Sequence, residues 1–127
     1  MIESTDRAIA HAVMFTANHM DVEAIVALTE SGSTPLWMSR IRSDIPIFAF
    51  TRQETTLRRV VMYRGVYPVP FDITHTDVER IHQEVFQVLL GMGHVRAGDL
   101  VIVTKGELSG VAGKTNSMQI LSVTQEA

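Results

Sequence analysis

Between residues 4 and 20 the apolar and small positions Ala8, Ile9, Ala12, Val13, Thr16, Ala17 and Met20 recur at spacings of three and four, the period of a helix with one buried side. Ser4 or Thr5 stands where such a helix needs an N-cap. Ala24, Ile25, Val26, Ala27 and Leu28 then run without a polar residue between them, and Thr29-Glu30-Ser31-Gly32 ends the run. Five apolar residues with no alternation predict a strand covered on both faces, as in a parallel sheet.

Pro35, Leu36, Trp37, Met38 and Ile41 predict a second helix that turns Trp37 or Met38 inward, with Ser33 or Thr34 at the N-cap and proline at the first helical position, where no N–H is needed. A second strand is predicted at 47–50, a third helix at about 53–62 and a short third strand at 66–69, where Pro68 favours a sheet edge. The longest helix carries Val78, Ile81, Val85, Val88, Leu89 and Met92 on one face, between Asp77 and the stop signals Gly91 and Gly93. A fourth strand at 99–104, a glycine-rich segment at 105–115 and a last strand at 117–123 complete the chain. Strands and helices in near-alternation predict a doubly wound, flavodoxin-like α/β sheet. With no repeat, linker or low-complexity segment, residues 1–127 form a single domain.

Composition narrows the classes. At 127 residues and 46% hydrophobic content the chain can bury one sizeable core, and its longest apolar runs fall far short of the roughly 20 residues that cross a bilayer. Glu3, Asp6 and Arg7 precede any apolar stretch, unlike a signal peptide, and the absence of cysteine suits a reducing compartment, so a cytoplasmic location is expected. A net charge of −3 with scattered arginine pairs offers no footprint for nucleic acid, and no membrane partner is expected.

Candidate chemistry lies at two corners. Thr29, Glu30, Ser31, Gly32, Ser33 and Thr34 offer hydroxyls, a glycine and free N–H groups between a strand end and a helix start, a setting that suits a phosphate as well as plain capping. Lys105, Gly106, Gly110, Gly113, Lys114, Thr115 and Asn116 follow the fourth strand. If the first and fourth strands are neighbours, both segments meet at the carboxyl end of the sheet, where open α/β sheets bind ligands, and the two lysines would neutralise the phosphate. The spacing of Gly110 to Thr115 is not that of a nucleotide-hydrolysing P-loop. The five histidines show no metal-binding spacing, and His75 and His82, with Asp72 and Asp77, read as solvated groups flanking the longest helix. Glu30 is the sole carboxylate of the proposed pocket and opposes an anion unless it points away. No nucleophile stands beside a base, so no catalytic residue, metal site or cofactor site is assigned, and a regulatory module that binds a phosphorylated effector is the natural reading.

The chain resembles the C-terminal domain of pyruvate kinase over essentially all its length. The resemblance is carried by Ala8-Ile9-Ala10 with Ala17-Asn18-His19, by Ala24 through Gly32, by Pro46-Ile47-Phe48-Ala49-Phe50-Thr51-Arg52, by Tyr63-Arg64-Gly65-Val66-Tyr67-Pro68-Val69, by Gly98-Asp99-Leu100-Val101-Ile102-Val103-Thr104 and by Thr115-Asn116-Ser117-Met118, in the family's order.

It implies a three-layer α/β/α sandwich whose five-stranded, mostly parallel sheet has order 3-2-1-4-5 with the last strand antiparallel. It also implies an allosteric activator between the segments matching Thr29 to Thr34 and Lys105 to Thr115. The second segment lacks the Trp-Arg-Pro run of fructose-1,6-bisphosphate-activated members and is similar to bacterial members activated by AMP or sugar monophosphates. Ser33 stands where many relatives carry arginine. The family's catalytic residues, with its magnesium and potassium, lie in a barrel that nothing here matches, so no activity is expected of this chain alone. The uncharged, proline-free final strand, together with the tetrameric assembly the resemblance implies, points to self-association. Two other readings stand beside this one: a free-standing small phosphate-ligand-binding domain or enzyme that uses Glu30 or a histidine as base, and an oligomerisation module with a vestigial site.

Overall fold

Every residue of β1 (Ala24–Leu28) and of β2 (Ile47–Thr51) is buried, as strands covered on both faces require. In the computed structural model, which describes residues 4–72, 77–106 and 115–125, these strands lie inside a five-stranded sheet of order β3-β2-β1-β4-β5. The remaining elements are α1 (Thr5–His19), α2 (Ser33–Ser39), α3 (Glu54–Val60), β3 (Val66–Pro70), α4 (Val78–Gly91), β4 (Leu100–Gly106) and β5 (Thr115–Ser122). β1 pairs in parallel with β2 and β4, β2 pairs in parallel with β3, and β5 runs antiparallel to β4. The expected order and direction of all five strands are therefore present.

Strand alternation separates two cores. Ala24, Val26 and Leu28 of β1 join Val101 and Val103 of β4 under Ile81, Val85, Phe86 and Leu89 of α4. Ile25 and Ala27 face the other way, with Ile102, toward Ala10, Val13, Met14 and Ala17 of α1, Met38 of α2 and Val60 of α3. One face thus carries α1, α2 and α3 and the other carries α4, a three-layer sandwich. The crossover changes side between β3 and β4, so winding reverses where β1 and β4 lie side by side.

Several local expectations differ, and α1, with 15 residues, is longer than α4, with 14. The N-cap of α2 is Gly32, with φ 81°, and Ser33 and Thr34 are its first two helical residues. Pro35 is consequently third, and it still lacks an N–H at a harmless place, because the first helical bond is donated by Leu36 to Gly32. Val78, the first residue of α4, and Met92, just past its end, are 40% and 46% exposed, and Phe86 takes a place in the buried stripe. β4 extends through Lys105 and Gly106, because β5 begins at Thr115 and pairs with both. His82 is half-buried, and its Nε2 has no hydrogen-bond partner among the described residues, so it is not a solvated surface group. Asp77 does cap α4, accepting from the Glu79 N–H at 3.0 Å.

Pro68 and Pro70 sit in edge strand β3, as Pro68 predicts. The Phe71 N–H donates to Thr51 of β2, so by alternation the nitrogens of Pro68 and Pro70 face outward, where no ladder bond is lost.

Candidate functional site

Residues 29–34 close the corner between β1 and α2. Thr29 extends the ladder, donating its N–H to Phe50, and its Oγ1 accepts the Gly32 N–H at 2.9 Å. Ser31 Oγ accepts the Ser33 N–H at 3.2 Å. Both N–H groups at the turn are thereby engaged by hydroxyls of the same loop. Gly32 holds the left-handed conformation that lets the chain reverse here, and a Cβ on it would meet Thr56 Cγ2 at 3.1 Å and Val60 Cγ1 at 3.2 Å.

α3 fastens the loop from outside. Thr56 Oγ1 donates to the Glu30 carbonyl at 2.6 Å, and an Arg59 guanidinium nitrogen donates to the Ser31 carbonyl at 3.0 Å. The Glu30 carboxylate accepts from Gln53 Nε2 at 2.8 Å and lies 3.5 Å from Arg52 Nε. Glu30 is therefore engaged with the connection between β2 and α3, rather than standing free as a base or facing an incoming anion alone.

The second segment reaches the same corner through Thr115. Its hydroxyl accepts from Thr34 Oγ1 at 2.8 Å, with both residues buried, so the first residue of β5 is joined to the first turn of α2. Lys105 follows a different course. It pairs with Ser117 and alternates with Thr104, which places it on the α4 side of the sheet with Val101 and Val103, whereas Thr34 and Thr115 meet on the α2 side. Burial holds the Lys105 amine below its ordinary range, and its charge acts on His82 of α4. Gly106 pairs with Thr115 across an irregularity in the ladder. Gly110 and Lys114, like His75, lie outside the described residues.

Sequence reasoning missed Asp6. It is 7% exposed, and its Oδ2 accepts from Ser33 Oγ at 2.7 Å. Burial alone would raise its pKa, but hydrogen bonds from the Ser33 and Ser4 hydroxyls and from backbone N–H groups outweigh that and hold the carboxyl below its ordinary value of 3.8. Its position four before Ala10, in phase with Val13 and Ala17, was the available signal. Arg59, Thr56 and Gln53 had none, because their roles arise from the packing of α3 against the loop.

Among the described residues no group of three or more His, Asp or Glu side chains gathers to hold a metal ion, and no helix is long and apolar enough to cross a membrane. The arrangement brings together a glycine turn, hydroxyls and two buried threonines beside the reversal in winding, where α/β sheets take ligands.

Comparison with known proteins agrees with this architecture. A family model described as "Pyruvate kinase, alpha/beta domain" matches residues 7–121. Pyruvate kinase II of Salmonella typhimurium is 45% identical over 122 residues, which cover 95% of this chain and 25% of that protein. A pyruvate kinase of Buchnera aphidicola is 42% identical over 123 residues, 96% of this chain and 25% of its own length. The pyruvate kinase of Bacillus licheniformis is 36% identical over 116 residues, 91% of this chain and 20% of its own length. The chain thus spans a quarter or less of these relatives. On sheet order, family match and identity together, the chain belongs to the pyruvate kinase α/β-domain family.

Proposed function

We propose that this chain is the regulatory part of a cytoplasmic pyruvate kinase, an enzyme that transfers phosphate from phosphoenolpyruvate to ADP and gives pyruvate and ATP, and that it binds a sugar monophosphate or AMP as allosteric effector. The observation that carries the reading is the 2.8 Å contact between the Thr34 and Thr115 hydroxyls, which joins the two effector segments beside the β1/β4 switch point.

The chemistry follows from the loop. A phosphate oxygen takes over the Gly32 and Ser33 N–H groups, and the Thr29 and Ser31 hydroxyls that held them turn to donate to the same anion. The loop backbone that presents these donors is fastened by Thr56 and Arg59 of α3, which supports a site whose main chain needs little ordering. The second segment, Lys105, Gly106, Gly110, Lys114 and Thr115, is assigned to the same ligand, with Lys114 neutralising the phosphate and Lys105 adding positive potential from the α4 side. Catalytic groups, magnesium and potassium are assigned to the barrel outside this chain, which by itself is expected to form no pyruvate. β5 is assigned to self-association.

Calorimetric titration with glucose 6-phosphate, ribose 5-phosphate and AMP tests the effector reading. Thr34 is buried against Thr115, so the half-buried Ser31 is the better position to change. Ser31→Glu puts a carboxylate where the phosphate sits and is expected to weaken binding by about tenfold or more. Equal affinity in both proteins for every ligand that binds would place the site elsewhere.

A further inference from the structure

Two carboxylates border the loop, and they are held differently. Glu30 is engaged by Arg52 and Gln53, from the side of β2. Asp6 stands in the first turn of α1, nearly fully buried, with Oδ2 accepting from Ser33 Oγ at 2.7 Å and Oδ1 accepting from the Arg7 N–H at 2.9 Å. A serine hydroxyl has one proton to donate. Ser33 can give it to Asp6 or to an arriving phosphate, but not to both, and a phosphate at Ser33 also meets the like charge of Asp6.

Building on the effector reading above, we propose that Asp6 is an internal competitor for the effector's phosphate, whose bond to Ser33 must be exchanged for a bond from Ser33 to a phosphate oxygen when the effector binds. The exchange has a mechanical side. Asp6–Ser33 ties the first turn of α1 to the first residue of α2, and the neighbouring Arg7 guanidinium lies 4.6 Å from the ring centroid of Trp37, also on α2. Releasing Ser33 from Asp6 therefore loosens α1 from α2 at one of two adjacent contacts and alters the surroundings of Trp37. Occupancy of the loop is thereby transmitted to the start of α1. The chain has one tryptophan, so its emission reports on this junction alone.

The test titrates the full chain with inorganic phosphate and with glucose 6-phosphate, following heat and Trp37 emission, in wild type, Asp6→Asn, Ser33→Ala and the double variant. Asp6→Asn is expected to bind both ligands roughly three- to tenfold more tightly, as removal of a nearby partly screened like charge predicts. The gain is expected to shrink in the Ser33→Ala background, because the exchanged hydroxyl is gone. Trp37 emission is expected to change as wild type saturates. Should Asp6→Asn fail to fold, Asp6→Ser keeps a small acceptor for the Arg7 N–H and carries the same expectation. Unchanged or weaker binding in the Asp6 variants, with wild type binding normally, overturns the competitor and leaves the effector reading standing. An undiminished gain in the Ser33→Ala background, or unaltered Trp37 emission at saturation, overturns the exchange. Absence of binding in wild type and in the Asp6 variants overturns both readings.

Discussion

The hydroxyls of Thr34 and Thr115 lie 2.8 Å apart although the residues are 81 positions apart in the chain, and both are buried. With both side chains buried, each hydroxyl has the other as its hydrogen-bond partner. Thr34→Val or Thr115→Val is expected to cost about 1–3 kcal/mol by leaving a buried hydroxyl unpaired, and the double valine variant is expected to cost less than the two singles added together. Urea unfolding of the three variants measures this, and simple additivity would show that the pair does not interact.

Gly32 and Gly65 offer a matched pair of substitutions. Both have positive φ, 81° and 73°, but a Cβ at Gly32 meets Thr56 and Val60 while a Cβ at Gly65 has nothing within 4 Å. Gly65→Ala is expected to cost about 1–2 kcal/mol from backbone conformation alone. Gly32→Ala adds the steric contact and is expected to cost more. Thermal denaturation ranks them, and the reverse order would remove the close approach of α3 as the reason for glycine at the turn.

His82 gives the domain a pH dependence with a definite sign. Burial first, and the charge of Lys105 next, hold its pKa below the ordinary 6.5, against smaller opposite effects of Gln119 and Glu79. The folded state therefore prefers the neutral ring, while the unfolded chain takes up a proton near pH 6.5. The stability contributed is complete above that pH and is lost as pH falls through it toward the folded value. Urea midpoints at pH 7.5 and 5.5 should differ less in His82→Gln than in wild type. An equal difference in both would assign the effect to other groups. Asp6, whose pKa is lowered from 3.8, acts in a separate window, losing its contribution only as pH falls below that value.

The self-association assigned to β5 rests on an edge strand paired on one side with β4, and on Ile120, 43% exposed at its middle. Wild type is expected to sediment as a dimer or larger species at high micromolar concentration, and Ile120→Lys as a monomer. A strictly monomeric wild type removes the assignment.

The elements were legible because burial imposes period: β1 has no polar residue to alternate, and α1 and α4 repeat every three to four residues. The loop 29–34 was legible for its hydroxyls and glycine. Its cap was misassigned because serine and threonine are the usual N-caps, whereas here the need for a left-handed turn against Thr56 and Val60 puts Gly32 in that place. Lys105-Gly106 looked like the start of a loop, and only pairing with β5 makes it strand. Spacing marks Asp6 as buried on α1, but its partner Ser33, like the partners of Arg59 and Gln53, comes from an element distant in sequence, and no local spacing encodes that.

The two edges of the sheet are chemically unlike. On β3 the outward side carries two prolines, which have no N–H to offer another strand, while β5 has no proline. A sheet with two receptive edges could add copies at both ends without limit. With one edge closed, growth through the other is exhausted after a single partner, because the second copy presents its own closed edge outward. If β5 pairs with a second copy as proposed, the prolines of β3 would limit that sheet to two copies and make it a finite object rather than a fibre.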